Sequence, residues 1–245
     1  MSERVYIHEF VDIIAQNRAK YMHHMTANWC PIARHERNQL CFGVWGTLGS
    51  TGRWPEVVNV WEHESWENLG RSFDLERSAP TLQDPSLQEW WAAAAPLRRG
   101  GFDRILVAAP WARSIDQLVA DGVRGNYYAH ELVTVPIGTS YELLDRVADT
   151  GRPDVEALGL ELVGAFNVAM ASDNECLLMW AIPDWAAWVR YERAWYPEGE
   201  LANWRKTLFA MDAAIDRILL LDSPLNPMRA GRQPQVEDRR SLDEF

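Results

Sequence analysis

The chain nearly repeats itself. Residues 5–10 (VYIHEF) align with residues 127–132 (YYAHEL) at a spacing of 122, setting Tyr6 on Tyr128, His8 on His130 and Glu9 on Glu131. Pro31 falls on Pro153 at the same spacing. QLCFGVW then meets LELVGAF at 121, with Gly43 on Gly164 and Trp45 on Phe166. VVNVWEHESW meets CLLMWAIPDW at 119, with Trp61 on Trp180 and Trp66 on Trp185. FDRILVAAP finally meets IDRILLLDSP at 113, with Asp103 on Asp216 and Arg104 on Arg217. The spacing only shrinks along the chain, as loop deletions make it do; chance matches scatter. The 245 residues therefore read as a tandem duplication, which must fold from two similar units of about 100 residues.

Each unit has a regular order. Residues 4–11 alternate and read as a strand. Ile13, Ile14, Ala19, Tyr21, Met22 and Met25 follow at helical spacing over 12–28, and Pro31 ends or kinks that helix. Strands are expected at 39–48 and 56–62, joined by the turn-rich GSTGRWP. Ser65 caps a helix over 66–76, residues 86–97 form a short extra helix, and 102–109 make a fourth strand. The second copy gives strands 126–135, 160–170, 175–182 and 216–221, with helices 138–150, 184–195 and 200–214. The expected organisation is a repeat over 1–110, a linker over 111–125, a repeat over 126–222 and a polar tail over 223–245. The β-α-β-β-α-β order is a ferredoxin-like unit, so the fold class is α+β. Both helices of such a unit pack on one sheet face and leave the other bare. Two fused units can close those bare faces into a barrel within one chain, around a lumen lined by paired side chains.

Charge and composition narrow the function. Lys+Arg 24 against Asp+Glu 35 gives a net charge of −11. That balance argues against phosphate-neutralising nucleic-acid binding and against docking on an anionic membrane. No apolar run approaches the roughly 20 residues that span a bilayer, and MSERVYIHEF has no apolar signal core. A cytoplasmic location is expected. Cys30, Cys41 and Cys176 have no metal-ligand spacing and read as buried free thiols in a reducing compartment. Thirteen tryptophans are far more than chance supplies and imply large flat apolar surfaces.

The candidate site residues lie on the inner strands. Alternation puts Tyr6, His8 and Phe10 on one face of the first strand and Val5, Ile7 and Glu9 on the other. The aliphatic face should meet the helices, which sends His8 and His130 into the lumen. There they could move protons on a bound substrate, or be hydrogen-bonded interior residues. Glu9 and Glu131 could be a raised-pKa acid and base, or a salt bridge to Arg104 or Arg217. The third strand lies beside the first, so Asn59 and Trp61 are expected to approach His8, with Asn59 holding a substrate oxygen. The second copy has Leu178 in place of Asn59, an asymmetry expected of a site formed in one half. Tyr6, Tyr128, Trp45, Trp61, Phe166 and Trp180 would suit a planar or polycyclic apolar ligand, or simply fill the core. His23-His24 point about 100° apart on a helix, and no zinc spacing or phosphate-binding loop is present. No metal or cofactor is expected.

These features resemble the NIPSNAP family of the dimeric α/β-barrel superfamily. The resemblance is carried by VYIHEF, PIARHERNQLCFGVW, VVNVWEHESWENL and, above all, DPSLQEWWAAAAPLRRGGFDRILV. It covers residues 4–109 well and 126–222 more loosely, where the Asp-Pro is lost; His8 stands where the family has an aromatic residue. The resemblance implies a barrel fold and leaves activity open among cofactor-free monooxygenases, isomerases, dehydratases, haem enzymes and others. The combined expectation is a cofactor-independent enzyme that moves protons on an apolar aromatic or polycyclic metabolite in the lumen. A non-catalytic small-molecule binder and a cofactor-free monooxygenase are the alternatives. A fused pair needs no partner to close its lumen, and a homodimer of fused barrels stays open.

Overall fold

A computed structural model describes residues 3–82 and 84–245. Strand β1 spans Val5–Ile13, β2 Gln39–Thr47, β3 Glu56–His63 and β4 Arg98–Ala108. In the second half, β5 spans Tyr127–Thr134, β6 Glu161–Val168, β7 Glu175–Ile182 and β8 Ala214–Asp222. β3 is rich in β-branched valine and buried at every position, as a strand is when side chains cover both sheet faces. The eight strands close into one barrel in the order β1-β3-β2-β8-β5-β7-β6-β4. All neighbours are antiparallel. Each half keeps its own first strand central, so β1 and β5 face each other across the lumen. The halves join at two short seams. One pairs Trp45, Gly46 and Thr47 of β2 with Asp222, Leu221 and Leu220 of β8. The other pairs Leu106, Val107 and Ala108 of β4 with Val168, Asn167 and Phe166 of β6.

Helices cover the outside: α1 (Arg18–His23), α2 (Cys30–Arg37), α3 (Trp66–Arg77), α4 (Gln88–Ala94) and α5 (Ile115–Ala120) in chain order. They are followed by α6 (Ser140–Arg146), α7 (Arg152–Glu156), α8 (Trp185–Ala194), α9 (Ala202–Ala210) and α10 (Pro227–Ala230). Ser65 caps α3 by accepting from the Asn68 N–H. Pro31 does not end its helix. A π turn over His24–Trp29 widens the coil just before the proline, and the chain runs on as α2 to Asn38, which is left-handed. The wider turn accommodates the ring and the missing N–H. A second π turn, Val147–Gly151, precedes Pro153 in the same way.

Both halves also bulge at one place, between Cys41 and Gly43 in β2 and between Leu162 and Gly164 in β6. The glycines let an aromatic ring lie flat on the strand. A Cβ at Gly43 would fall 2.0 Å from the Trp45 ring, and one at Gly164 would fall 2.3 Å from the Phe166 ring. Gly43→Ala is therefore expected to lower the unfolding free energy by about 1–3 kcal/mol through overpacking. Urea melts check this.

The lumen is packed with rings. Tyr6 meets Phe166 at 4.8 Å and Phe42 at 5.4 Å between centroids, and Trp45 meets Tyr128 at 5.7 Å. Its base is closed by α5, whose capping box is Ser114 with Gln117. The Ile115 N–H and the Tyr6 hydroxyl both donate to Glu62 Oε2, at 3.0 and 2.7 Å. The tail is ordered against the first half. Gln233 satisfies both backbone groups of Cys41 at 3.0 and 2.9 Å, and Phe245 stacks on His23 at 4.4 Å.

Candidate functional site

Because β1 and β5 face each other, their inward side chains meet on the barrel axis. His8 Nε2 lies 2.9 Å from His130 Nε2, and both rings are buried. One nitrogen must donate and the other accept, so the contact requires at least one neutral imidazole. Burial, then the neighbouring His130, then Arg104 push the His8 pKa well below the ordinary value. Burial pushes His130 down to about 3, with Arg104 adding to the effect. Both rings are neutral at neutral pH. Phe10 stands edge-on to the two imidazoles at 4.9 and 5.3 Å and stacks on Phe102 at 5.1 Å. The Arg104 guanidinium lies 4.6 Å from the Phe102 ring centre. These groups plug the barrel mouth above the pair. Phe102 is 48% exposed, so the plug is one layer thick. Among the described residues, His8 Nδ1 has no partner.

The structure puts Tyr6, Tyr128, Trp45 and Phe166 in the lumen with the histidines, all essentially inaccessible to solvent. It moves Asn59, Trp61 and Trp180 elsewhere. Asn59 sits directly opposite Glu9 in the β1–β3 register, and directly opposed residues share a sheet face. Val58, Val60 and Glu62 are the inward positions of β3. Asn59 therefore lies on the helix side and does not approach His8. Its Nδ2 donates to Glu9 Oε2 at 3.0 Å and to the Tyr21 hydroxyl at 3.3 Å. Trp61 donates to the same Glu9 oxygen at 2.6 Å, and Trp180 donates to Glu131 at 3.0 Å.

The closing strands differ from the sequence alignment by one residue. Arg104 lies opposite His8 and Asp103 opposite Glu9, whereas Ile218 lies opposite His130 and Arg217 opposite Glu131. Asp103 thus takes the place of Arg217, not of Asp216. A one-residue slip in a strand exchanges its faces, so Arg104 reaches the mouth while Arg217 reaches the helices.

The two glutamates consequently have opposite surroundings. Glu131 accepts from Arg217 Nε at 2.6 Å, from the Tyr191 hydroxyl at 2.6 Å and from Trp180. Burial works against the Arg217 charge, but Glu131 and Tyr191 hold the guanidinium firmly protonated. Among the described residues, Glu9 has no such cation in contact. Its pKa is raised by burial and then by Asp103, against the opposing bonds from Trp61 and Asn59 and a weaker contribution from Arg98. Asn59 Oδ1 is buried without a partner among the described residues. The first half therefore holds a carboxyl with a raised pKa beside Asn59 and Tyr21, and the second holds a closed ion pair. Tyr21 and Tyr191 carry no motif. Their only sequence signal is a hydroxyl on an otherwise apolar helix face, which must find a buried partner.

Among the described residues, no group of three or more His, Cys, Asp or Glu side chains is placed to hold a metal ion, and no helix is long and apolar enough to cross a membrane. No protein-family model matches the chain, and no curated protein matches it. Solved structures do. An anthrone oxidase-like protein is similar over 90% of this chain and 94% of its own, with 9% identity and a TM-score of 0.57. A candidate monooxygenase from Fusobacterium nucleatum is similar over 91% and 93%, with 8% identity and a TM-score of 0.55. A candidate chlorite dismutase is similar over 94% and 99%, with 11% identity and a TM-score of 0.51. At these identities the likeness speaks for architecture alone. The eight-stranded antiparallel barrel and these neighbours together give the chain the fold of the dimeric α/β-barrel proteins, with both sheets drawn from one polypeptide.

Proposed function

We propose that this protein is a small, cofactor-independent enzyme that transfers a proton on an apolar aromatic or polycyclic metabolite, with Glu9 as its acid–base group. The carrying observation is the contrast between Glu9, which has a raised pKa and no cation in contact, and Glu131, which is neutralised by Arg217. A carboxyl poised this way can take a proton from carbon next to a carbonyl and return it elsewhere, the net change of an isomerisation. Glu9 is only partly buried, and Gly101 and Asp103 beside it are exposed, so a ligand can approach. In this reading Asn59 and Tyr21 position Glu9, and His8 and His130 pin the barrel axis. The packed lumen favours a second reading, a non-catalytic binder whose barrel is a solid scaffold. The repeated bulges and π turns support a unit duplicated in tandem, residues 1–110 and 126–222, which we read as NIPSNAP-like from the sequence resemblance, and three buried free cysteines are in keeping with the cytoplasm.

Solvent deuterium exchange into 2-tetralone tests the proposal. The protein should accelerate exchange at the acidic carbon. Glu9→Gln should lower that rate by about 10²–10⁴-fold with the melting temperature retained. Unchanged exchange in Glu9→Gln sinks the assignment. Exchange that survives Glu9→Gln but is lost in His8→Gln would move the chemistry to the axial pair. No exchange in any form favours the binder.

A further inference from the structure

A cavity of about 510 Å³ lies outside the barrel at the β2–β8 seam, between α1 and residues 237–245 of the tail, which form a C-terminal strap across it. That volume is within the roughly 300–1,000 Å³ typical of small-molecule sites. Met22, Leu221, Pro224, Leu225 and Phe245 give it an apolar lining. The strap forms one wall and is held shut at His23, which accepts from the Arg240 N–H at 3.2 Å and stacks on Phe245.

The charges around this cavity are unevenly spent. Among its acids, Asp222 is paired through Oδ1 with Arg229 at 3.1 Å, its Oδ2 being buried without a partner among the described residues, and Asp238 is paired with Arg232 at 2.6 Å, which leaves Glu237. Among its cations, Arg18, Arg239 and Arg240 form no ion pair among the described residues. Arg18 is partly buried, and burial lowers its pKa with no carboxylate opposing. Its Nη1 donates to Thr47 O at 2.7 Å and its plane lies 4.2 Å from the Trp54 ring centre. That leaves most of its five N–H donors unused. Gly46 makes this course available, because a Cβ there would fall 2.9 Å from Arg18 Cδ. A partly desolvated guanidinium without a counter-ion, beside an apolar chamber, is complementary to an anion with an apolar body.

We infer that the cavity beneath the C-terminal strap is a binding site for an amphipathic organic carboxylate, whose acid group engages Arg18 with Arg239 and Arg240 and whose body packs on Met22, Leu225 and Phe245. The site is separate from Glu9 and does not depend on its chemistry. Isothermal titration calorimetry with 2-naphthoate tests it, with uncharged 2-naphthylmethanol as the control. The expected result is saturable one-to-one binding, with 2-naphthoate at least about tenfold tighter than the alcohol, as charge-assisted bonds of this kind give. Arg18→Gln should erase that preference and Arg240→Gln should reduce it. Removing residues 241–245 should weaken both probes alike, because Phe245 is an apolar wall. Glu9→Gln should bind as the unaltered protein does, which separates this site from the proposed enzyme. Equal affinity for the two probes, or full affinity in both arginine variants, overturns the inference. Arg240 is exposed, so its variant stays informative even if Arg18→Gln fails to fold.

Discussion

Arg217→Met is expected to remove about 3–5 kcal/mol of unfolding free energy, the usual consequence of leaving a buried carboxylate without its cation. Glu131 is the group left behind, with a side chain only 3% exposed. Tyr191 and Trp180 still donate to it, but neither neutralises it. Urea melts of the variant and of the unaltered chain measure this. Glu131→Gln combined with Arg217→Met should recover part of the loss, since a neutral amide needs no counter-ion. A single variant within about 1 kcal/mol of the unaltered chain, the size of an exposed ion pair, would show that the cluster is not a buried one.

The axial histidines carry the second large effect. His8→Ala or His130→Ala leaves the opposite Nε2 alone in the core, at about 1–3 kcal/mol for the orphaned group, with the cavity term added. The pH dependence has a definite sign. His130 has a folded pKa of about 3 against the ordinary value of 6.5, so folding favours its neutral form. That stabilisation is complete above pH 6.5 and is lost as pH falls toward 3, at up to about 1.4 kcal/mol per unit. Glu56 acts the other way, because burial raises its carboxyl to about 7, which stabilises the fold as pH drops from 7 toward 4.5. Global melts mix the two, so the direct readout is the imidazole NMR spectrum. His8 and His130 should both stay neutral from pH 8 to pH 5. Titration of either ring in that range would contradict the downward pull of burial, and titration of both would break the bond between them.

Strand alternation made most of the fold legible, and the same alternation misplaced part of the site. Period two separates two faces without saying which is inside. For β1 the choice was decided by chemistry, aliphatic against aromatic. For β3 it was not, because all eight residues are buried and Asn59 and Trp61 look as suited to a lumen as to a helix contact. The one-residue error in the closing strands came from the Asp-Arg pair in FDRILV and IDRILL, which aligns by identity but not by register. The π turns were invisible, since proline at position 31 or 153 reads as a stop unless the preceding coil is known to widen. Gln233 on Cys41 and Phe245 on His23 were equally hidden, because long-range contacts of a polar tail leave no periodic trace.

The two seams also set an order of assembly. β4 emerges well before β6, and β2 before β8, so the seam strands of the first half wait for partners made much later. The barrel cannot shut until residues 214–222 have left the ribosome. Until then the nascent chain presents an open β2 edge and a bare aromatic interior, the surfaces on which chains aggregate or chaperones act. A chain stopped short of β8 loses its last strand and, with it, the concealment of everything made before. Ring closure thus acts as a completeness check: only the finished product hides its own adhesive surfaces.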